Sequence, residues 1–480
     1  MPKEQQYRCV YCDRNTIQVE TDRFVCAQCD SIFPVIDGVP VLTRRAPHFV
    51  VAQARELAGV HGKWKQLHGE LTQLGGIDKT PMLSERASRM ADGMAANIAL
   101  MEAQCQAIWA YAKTEAVADD TIAWATVQNG YPFDELLPYF YQDWYGTKPF
   151  AAVLQNILPA VETFCDDRQA LAVFGAGACG LLYELSGYFE KSVGVDLALP
   201  GLIMAKHLME GERFSLCLEK ADWADIALSP SANTGSDTRF MAANVMDTPF
   251  PDESLSVVVT QYLIDIVPNA AWFVHEIRRI LKPGGVWINF SKPFAWPSDH
   301  AVLGPRRLPE IIPILHEHGF EELQLKMSRF NVLSTEDIYP GGERFDQEVH
   351  IFAAKKADDN MQVICPAIKG RIRKKTTEAW NQVPKLVSAR QIAVVEKKIF
   401  KTGLQETVPG IQVMDSFIPM ERAFLSAISI LFECIDGHRT LRQLKGHMDK
   451  QGVAMPERDF LDLIYCLNVE YYLLKFDDKP

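Results

Sequence analysis

The stretch that most restricts how this chain can fold is residues 170–196, ALAVFGAGACGLLYELSGYFEKSVGVD. An unbroken apolar run at 171–174 reads as a buried strand. Gly175, Gly177 and Gly180 make a turn, and a helix and a second strand follow, ending on Asp196. Glycines there let the backbone approach a ligand closely, and the helix behind them offers unpaired N–H groups. An acid about 20 residues on is placed to take ribose hydroxyls. A nucleoside cofactor on a parallel sheet is the expectation.

Residues 149–357 continue the alternation. Strands are expected at 192–196, 239–244, 255–259, 286–290 and 350–354, with helices around 200–209, 272–281 and 309–318. This is an α/β, doubly wound, Rossmann-like sheet, which binds ligands at the carboxyl ends of its strands. The turn Lys282-Pro-Gly-Gly285 stops a helix and launches a strand.

At 480 residues the chain exceeds one compact core. Its flanks differ in kind: 1–46 carries paired cysteines, 47–148 is a helical segment, 358–410 is a basic linker and 411–480 is a small amphipathic module. In 87–112 apolar residues recur at helical spacing, and Met82, Met90, Met94 and Met101 read as helix-packing side chains. The aromatic cluster at 139–146 fits either packing between this segment and the sheet or the lining of a substrate pocket. A hydrophobic share of 48% and a charged share of 23% suit a soluble globular protein. The net charge of −12 disfavours a protein that wraps nucleic acid. No apolar run reaches a membrane span, and the first residues lack a signal-peptide core. Of eleven cysteines only four are paired as CxxC, which suits a reducing interior, so a cytoplasmic protein is expected.

Those four are Cys9, Cys12, Cys26 and Cys29. Two CxxC knuckles at this distance can place four thiolates in a tetrahedron, with Zn²⁺ the natural occupant. The zinc would be structural, since four cysteines leave no open position. Binding on the order of 10 kcal/mol would be most of the folding energy of so short a segment. The following residues, 32–42, resemble those after the knuckles in small zinc-ribbon proteins of the Trm112-like class. That class is associated with methyltransferases as partner or fused module.

A glycine turn alone does not name the cofactor. Asn244-Val-Met-Asp247 closes a third strand, where an acid can accept from an adenine amino group. PFPDESL, LKPGG and the strand VWINF come next. This order resembles class I S-adenosylmethionine-dependent methyltransferases. The resemblance places Gly175, Ala176 and Gly177 near the donor's amino-acid portion, Asp196 on ribose, Asp247 toward adenine, and Gln261 among the cofactor contacts.

Residues 257–293 are more narrowly similar to the carnosine N-methyltransferase (N2227-like) family, LKPGGVWIN being the most specific piece. That resemblance implies N-methylation of an imidazole ring. Asp265 stands where the family has the aspartate that binds the substrate ring. A carboxylate on one ring nitrogen fixes the tautomer and stabilises the forming imidazolium; a helix cap is the alternative role for Asp265. Trp296 or Pro297 stands at the family's substrate-histidine position, His300 is close but out of register, and Tyr262 and Trp144 complete the candidate acceptor contacts.

Near the C-terminus, Thr440 is placed to cap a helix within an IDGxRTL turn. Three helices and a strand there resemble winged-helix modules of the PqqD-like kind, which catch peptide leaders by strand addition. The bases from Lys369 to Lys401 read as a solvated linker or as a docking surface for an acidic partner or a phosphate backbone. The expected function is methyl transfer to a nitrogen of a histidine-containing small molecule. Alternatives are a peptide or protein substrate held by the C-terminal module, and a non-catalytic binding protein that keeps the fold. Residues 261–264 lack the Asn/Asp-Pro-Pro-Tyr run of amino-group nucleic-acid methylases, so nucleic acid is disfavoured.

Overall fold

The computed structural model describes residues 7–20, 22–77, 81–115, 132–219, 222–228, 237–294, 308–332, 345–357, 376–387, 392–401, 404–413, 416–419, 422–470 and 473–476. Its centre is a seven-stranded mixed sheet. In chain order the strands are β1 (Ala170–Phe174), β2 (Lys191–Asp196), β3 (Asp237–Ala242), β4 (Leu255–Gln261), β5 (Leu281–Ser291), β6 (Phe320–Val332) and β7 (Phe345–Lys356). They lie side by side as β3-β2-β1-β4-β5-β7-β6, with β7 antiparallel to both neighbours. Sequence predicts the first five strands and β7, though β5 and β7 run longer than expected. It misses β6.

The inner strands are nearly continuous apolar runs, buried at almost every position, as strands enclosed on both faces are. Trp287 of β5 is fully buried and packs against Phe273, Phe320 and Phe352 at ring distances of 6.1, 5.7 and 4.8 Å. The register brings the carboxyl ends of the first five strands to one edge: Phe174 pairs with Val195 and Thr260, Asp196 with Ala242, and Gln261 with Phe290.

The N-terminal segment supplies the helices α1 (Ala46–Ile77), α2 (Pro81–Gln104), α3 (Gln106–Thr114) and α4 (Phe133–Trp144). Met94 and Met101 are buried as expected, whereas Met82 is 77% exposed. Next come α5 (Lys148–Phe164), α6 (Gly180–Ser186), α7 (Leu199–Met209), α8 (Ala270–Ile280) and α9 (Leu308–Glu317). The Thr147 hydroxyl caps α5 and the Asn269 amide oxygen caps α8.

Residues 7–42 form a four-stranded ribbon whose last hairpin turns at Asp37-Gly38, both at positive φ. Val41 bridges Ala242 in parallel, and the Leu42 N–H donates to the Ala242 carbonyl at 2.8 Å. The ribbon therefore covers the otherwise open edge of β3.

At the other end of the chain, helices Arg422–Cys434, Leu441–Lys450 and Glu457–Tyr465 precede a strand, Leu474–Phe476, that pairs with Pro384–Leu386. Thr440 caps its helix as expected, in a reciprocal box with Gln443. Part of the stretch expected to be a linker is structured: Ile392–Lys401 pairs antiparallel with Leu404–Val413, which pairs with Ser416–Pro419. Lys369, Arg371, Arg373, Lys374 and Lys375 lie outside the described residues. Among the described residues no helix is long and apolar enough to cross a membrane.

Candidate functional site

The glycine turn after β1 is built as the sequence suggests, with one change of register. Positive φ falls on Gly175 (65°), Gly177 (53°) and Cys179 (61°). Gly180 is instead the first residue of α6. A Cβ on Gly175 would sit 3.3 Å from the Gln261 carbonyl oxygen and from Leu263, so the turn lies directly against the end of β4. A Cβ on Gly177 would meet only the Gly175 carbonyl, at 4.0 Å, which leaves space above the turn. Such a cradle admits the backbone-close approach of a ligand.

Asp196, at the end of β2, accepts from the Gly177 N–H at 2.8 Å and from the Ala198 N–H at 2.9 Å. Burial pushes its carboxyl above the usual range, while these N–H donors work the other way. The carboxylate thus braces its own loop, and each oxygen keeps a second lone pair for a ribose hydroxyl.

Asp247 is employed differently from expectation. It is 2% exposed; Oδ1 accepts from Arg8 Nη2 at 2.8 Å and Oδ2 from the Tyr465 hydroxyl at 2.5 Å. Each oxygen holds a donor from one end of the chain and, unlike the half-buried Asp196, the side chain is closed off at 2% exposure, so it does not fit the adenine contact that sequence suggests. Asn244, three residues earlier, has the geometry for that role. Its neighbour Ala243 donates to the Asp196 carbonyl at 3.1 Å, which sets Asn244 beside the end of β2. Its Oδ1 accepts from the Met246 N–H at 2.9 Å, and its buried Nδ2 has no partner among the described residues. A buried amide donor left open at a strand end invites a ligand acceptor. The signal in sequence is its place as the first polar residue after β3.

The acceptor side is built around the end of β4. Gln261 closes that strand, and Tyr262 follows at φ 47°, a strained conformation for a tyrosine. The Tyr262 N–H donates to the Phe290 carbonyl at 2.8 Å, and its ring stands edge-on to Phe290 at 5.4 Å. Its buried hydroxyl lacks a partner among the described residues. Burial, and then the Asp265 carboxylate nearby, push its pKa above the ordinary value.

Asp265 does not act as the cap of α8, a role Asn269 fills. It is half-buried, and its Oδ1 accepts from Ser291 Oγ at 2.6 Å. Ser291, wholly buried at the end of β5, is a site residue that sequence does not single out; its pairing with Asp265 appears only when β4 and β5 are adjacent. Trp296 and His300 lie outside the described residues.

Trp144 is 4% exposed, and its Nε1–H donates to the Ala178 carbonyl at 2.7 Å. The aromatic cluster divides. Phe140 and Tyr141 are core, while Tyr145, 45% exposed, lines a cleft of about 420 Å³ with Asp143, Trp144, Phe150, Gly180 and Tyr183.

In the ribbon, the sulfurs of Cys9, Cys12, Cys26 and Cys29 all lie within 4.8 Å of one another. The Cys9–Cys29 and Cys12–Cys26 pairs are 3.7 and 3.6 Å apart. A tetrahedron with Zn–S bonds of ~2.3 Å has sulfurs about 3.8 Å apart. The donor set is compatible with zinc.

Residues 173–289 match a family model described as "Methyltransferase domain". The chain carries a methyltransferase domain. The sterol 4-C-methyltransferase of Caenorhabditis elegans is 26% identical over 119 residues, which are 24% of this chain and 29% of that protein. A SAM-dependent methyltransferase from Methanosarcina mazei superposes with a TM-score of 0.31 at 14% identity, over 42% of this chain and 98% of its own. YcgJ from Bacillus subtilis gives 0.31 at 13% identity, over 42% and 99%.

Proposed function

We propose that this chain transfers a methyl group from S-adenosylmethionine to a ring or amine nitrogen of a histidine-containing small molecule or peptide. The observation that supports it best is that one edge of the sheet carries the glycine turn, Asp196 and Asn244 together with Tyr262 and Asp265, within a methyltransferase-domain match. S-adenosylmethionine supplies an electrophilic methyl on a sulfonium. The chain's own task is then to bind, align and balance charge. Gly175, Ala176 and Gly177 admit the amino-acid portion, Asp196 takes ribose hydroxyls, and Asn244 Nδ2 donates to the adenine ring. Ser291 turns Asp265 so that its other oxygen accepts an N–H of the acceptor, favouring one tautomer and offsetting the positive charge that forms on alkylation. Alignment of nitrogen and methyl can supply roughly 7–11 kcal/mol without a covalent intermediate.

The finer assignments belong to the same proposal: a Trm112-like ribbon holding Zn²⁺ on Cys9, Cys12, Cys26 and Cys29, an N2227-like catalytic domain and a winged-helix-like C-terminal module. A peptide acceptor is the second reading, supported by the packing of that module's Tyr465 on the loop after β3.

Calorimetric titration with S-adenosylmethionine tests the donor half. Binding should weaken about tenfold in Asn244→Leu, the loss of one buried hydrogen bond; a folded wild type that releases no heat would refute it. For the acceptor half, radiolabelled donor is offered with histidine dipeptides and with cell lysate. Asp265→Ala should retain donor binding and lose label transfer; transfer at the wild-type rate would remove Asp265 from the mechanism.

A further inference from the structure

The loop after β3 has two polar ends that face different ways. Asn244, beside the end of β2, keeps an open amide, and Asp247 is held by Arg8 and Tyr465 from the two flanking segments of the chain. The two are rigidly linked, since the Asp247 N–H donates to the Asn244 carbonyl at 3.0 Å and the Met246 N–H to Asn244 Oδ1 at 2.9 Å. Whatever holds Asp247 therefore holds the Asn244 amide in its rotamer.

Asp247 is gripped from both sides. Arg8 reaches it from the ribbon, and its backbone N–H also donates to the Pro249 carbonyl at 2.7 Å. Tyr465, the last residue of the helix Glu457–Tyr465, donates its hydroxyl to the other oxygen. Tyr465 is 3% exposed and is itself clamped: the Arg44 guanidinium lies 4.0 Å from its ring centroid and pairs with Asp462 one turn earlier at 3.0 Å. A buried carboxylate with two strong donors has little freedom, and removal of one donor leaves an uncompensated oxygen that moves to find another partner.

We propose that Tyr465 is a positioning residue for the methyl-donor site, acting through Asp247 to fix the loop that presents Asn244. This rests on the reading of that edge as the donor site. It gives the C-terminal module a part in cofactor binding, and the coupling is reciprocal: donor binding tightens the docking of the helix 457–465.

The test uses the full chain and S-adenosylhomocysteine, the demethylated donor, as titrant. Tyr465→Phe removes only the hydroxyl and should weaken binding about fivefold or more at a temperature where circular dichroism shows the variant fully folded. Leu463→Ala is the control. This side chain is 1% exposed on the same helix, so its truncation lowers the melting temperature without removing a donor from Asp247. Its affinity should stay within about twofold of wild type, below the roughly fivefold lower end of the coupling range. Hydrogen exchange of residues 457–465 should slow on saturation in the wild type and not in Tyr465→Phe. Unchanged affinity in Tyr465→Phe, or an equal loss in Leu463→Ala, would overturn the positioning role while leaving the donor site intact. A wild type that does not bind the titrant removes the donor site itself and the role with it.

Discussion

Two residues at the glycine turn show how a motif is reassigned by its surroundings. Gly180 counts toward the turn in sequence, yet it needs no unusual φ. A Cβ there would lie 2.5 Å from the Cβ of Asp143, so glycine is required by the approach of α4 to α6. Gly180→Ala should cost about 2 kcal/mol in denaturant unfolding through this overlap; an unchanged midpoint would mean that α4 can withdraw freely. Asp143 Oδ2 accepts from the Gly180 N–H at 3.1 Å, and burial pushes its carboxyl up to about 7. The native state therefore holds a proton that the unfolded chain, with a carboxyl near 4, has lost. Stability contributed by Asp143 is greatest below about pH 4, falls as pH rises, and levels off above about pH 7. Asp143→Asn keeps an acceptor for Gly180 and cannot ionise. It should gain on the order of 2 kcal/mol over wild type between pH 5 and pH 8. Urea unfolding at the two pH values reads this directly, and parallel slopes for the two proteins would exclude Asp143 as the titrating group.

At the scale of elements, capping and periodicity carry most of the legible information, because both are local. The IDGxRTL turn forms as read: the Asp436 carboxylate accepts the His438 and Arg439 N–H groups at 2.9 Å each, and Thr440 starts the next helix. Thr440→Ala should cost about 1 kcal/mol, seen as a lower melting temperature of the C-terminal module; no change would mean that Gln443 and Asp436 suffice. The strand β6 escapes sequence for the opposite reason. It is an edge strand whose side chains are largely half-exposed, Met327 among them at 58%, so the short alternation Leu323-Gln-Leu-Lys-Met327 is a weak signal, and the strand is specified by pairing with β7 along twelve positions from Phe320 to Val332. The hairpin from Ile392 to Val413 was likewise hidden behind the lysines it carries.

At the scale of the molecule, the ribbon and the C-terminal module meet over the edge of the sheet. Arg458 and Arg44 lie over the Tyr11 ring at 4.6 and 4.9 Å, and Arg44 bridges to Asp462. Behind Arg8, Glu276 accepts from Thr248 and Arg279; burial opposes its ionisation, yet Arg279 and Arg8 hold its carboxyl near 2. Arg8 is adjacent to Cys9, so metal content should be felt well beyond the ribbon. Purified protein should contain one Zn²⁺ per chain by atomic absorption. Its removal with a chelator should lower the melting temperature of the whole protein, since structural zinc binding is worth on the order of 10 kcal/mol. Metal-free protein that melts with the loaded form would show the cysteines to be dispensable.

Sequence by itself determined the parts whose physics is local or periodic: the strand–glycine turn–helix unit, the alternation that makes the sheet, the four-cysteine knuckles and the helix caps. Tertiary structure alone decided which polar groups remain open. Along the chain Asp247 and Asn244 are both polar candidates after β3, and position alone does not decide between them. Only when residues 8 and 465 arrive at the same loop does one lose both oxygens to a buried network while the other keeps a free donor. Ser291 joins Asp265 on the same terms, across adjacent strands. Hydrogen-bond satisfaction in a buried site is a property of the whole packing, and spacing in sequence does not encode it.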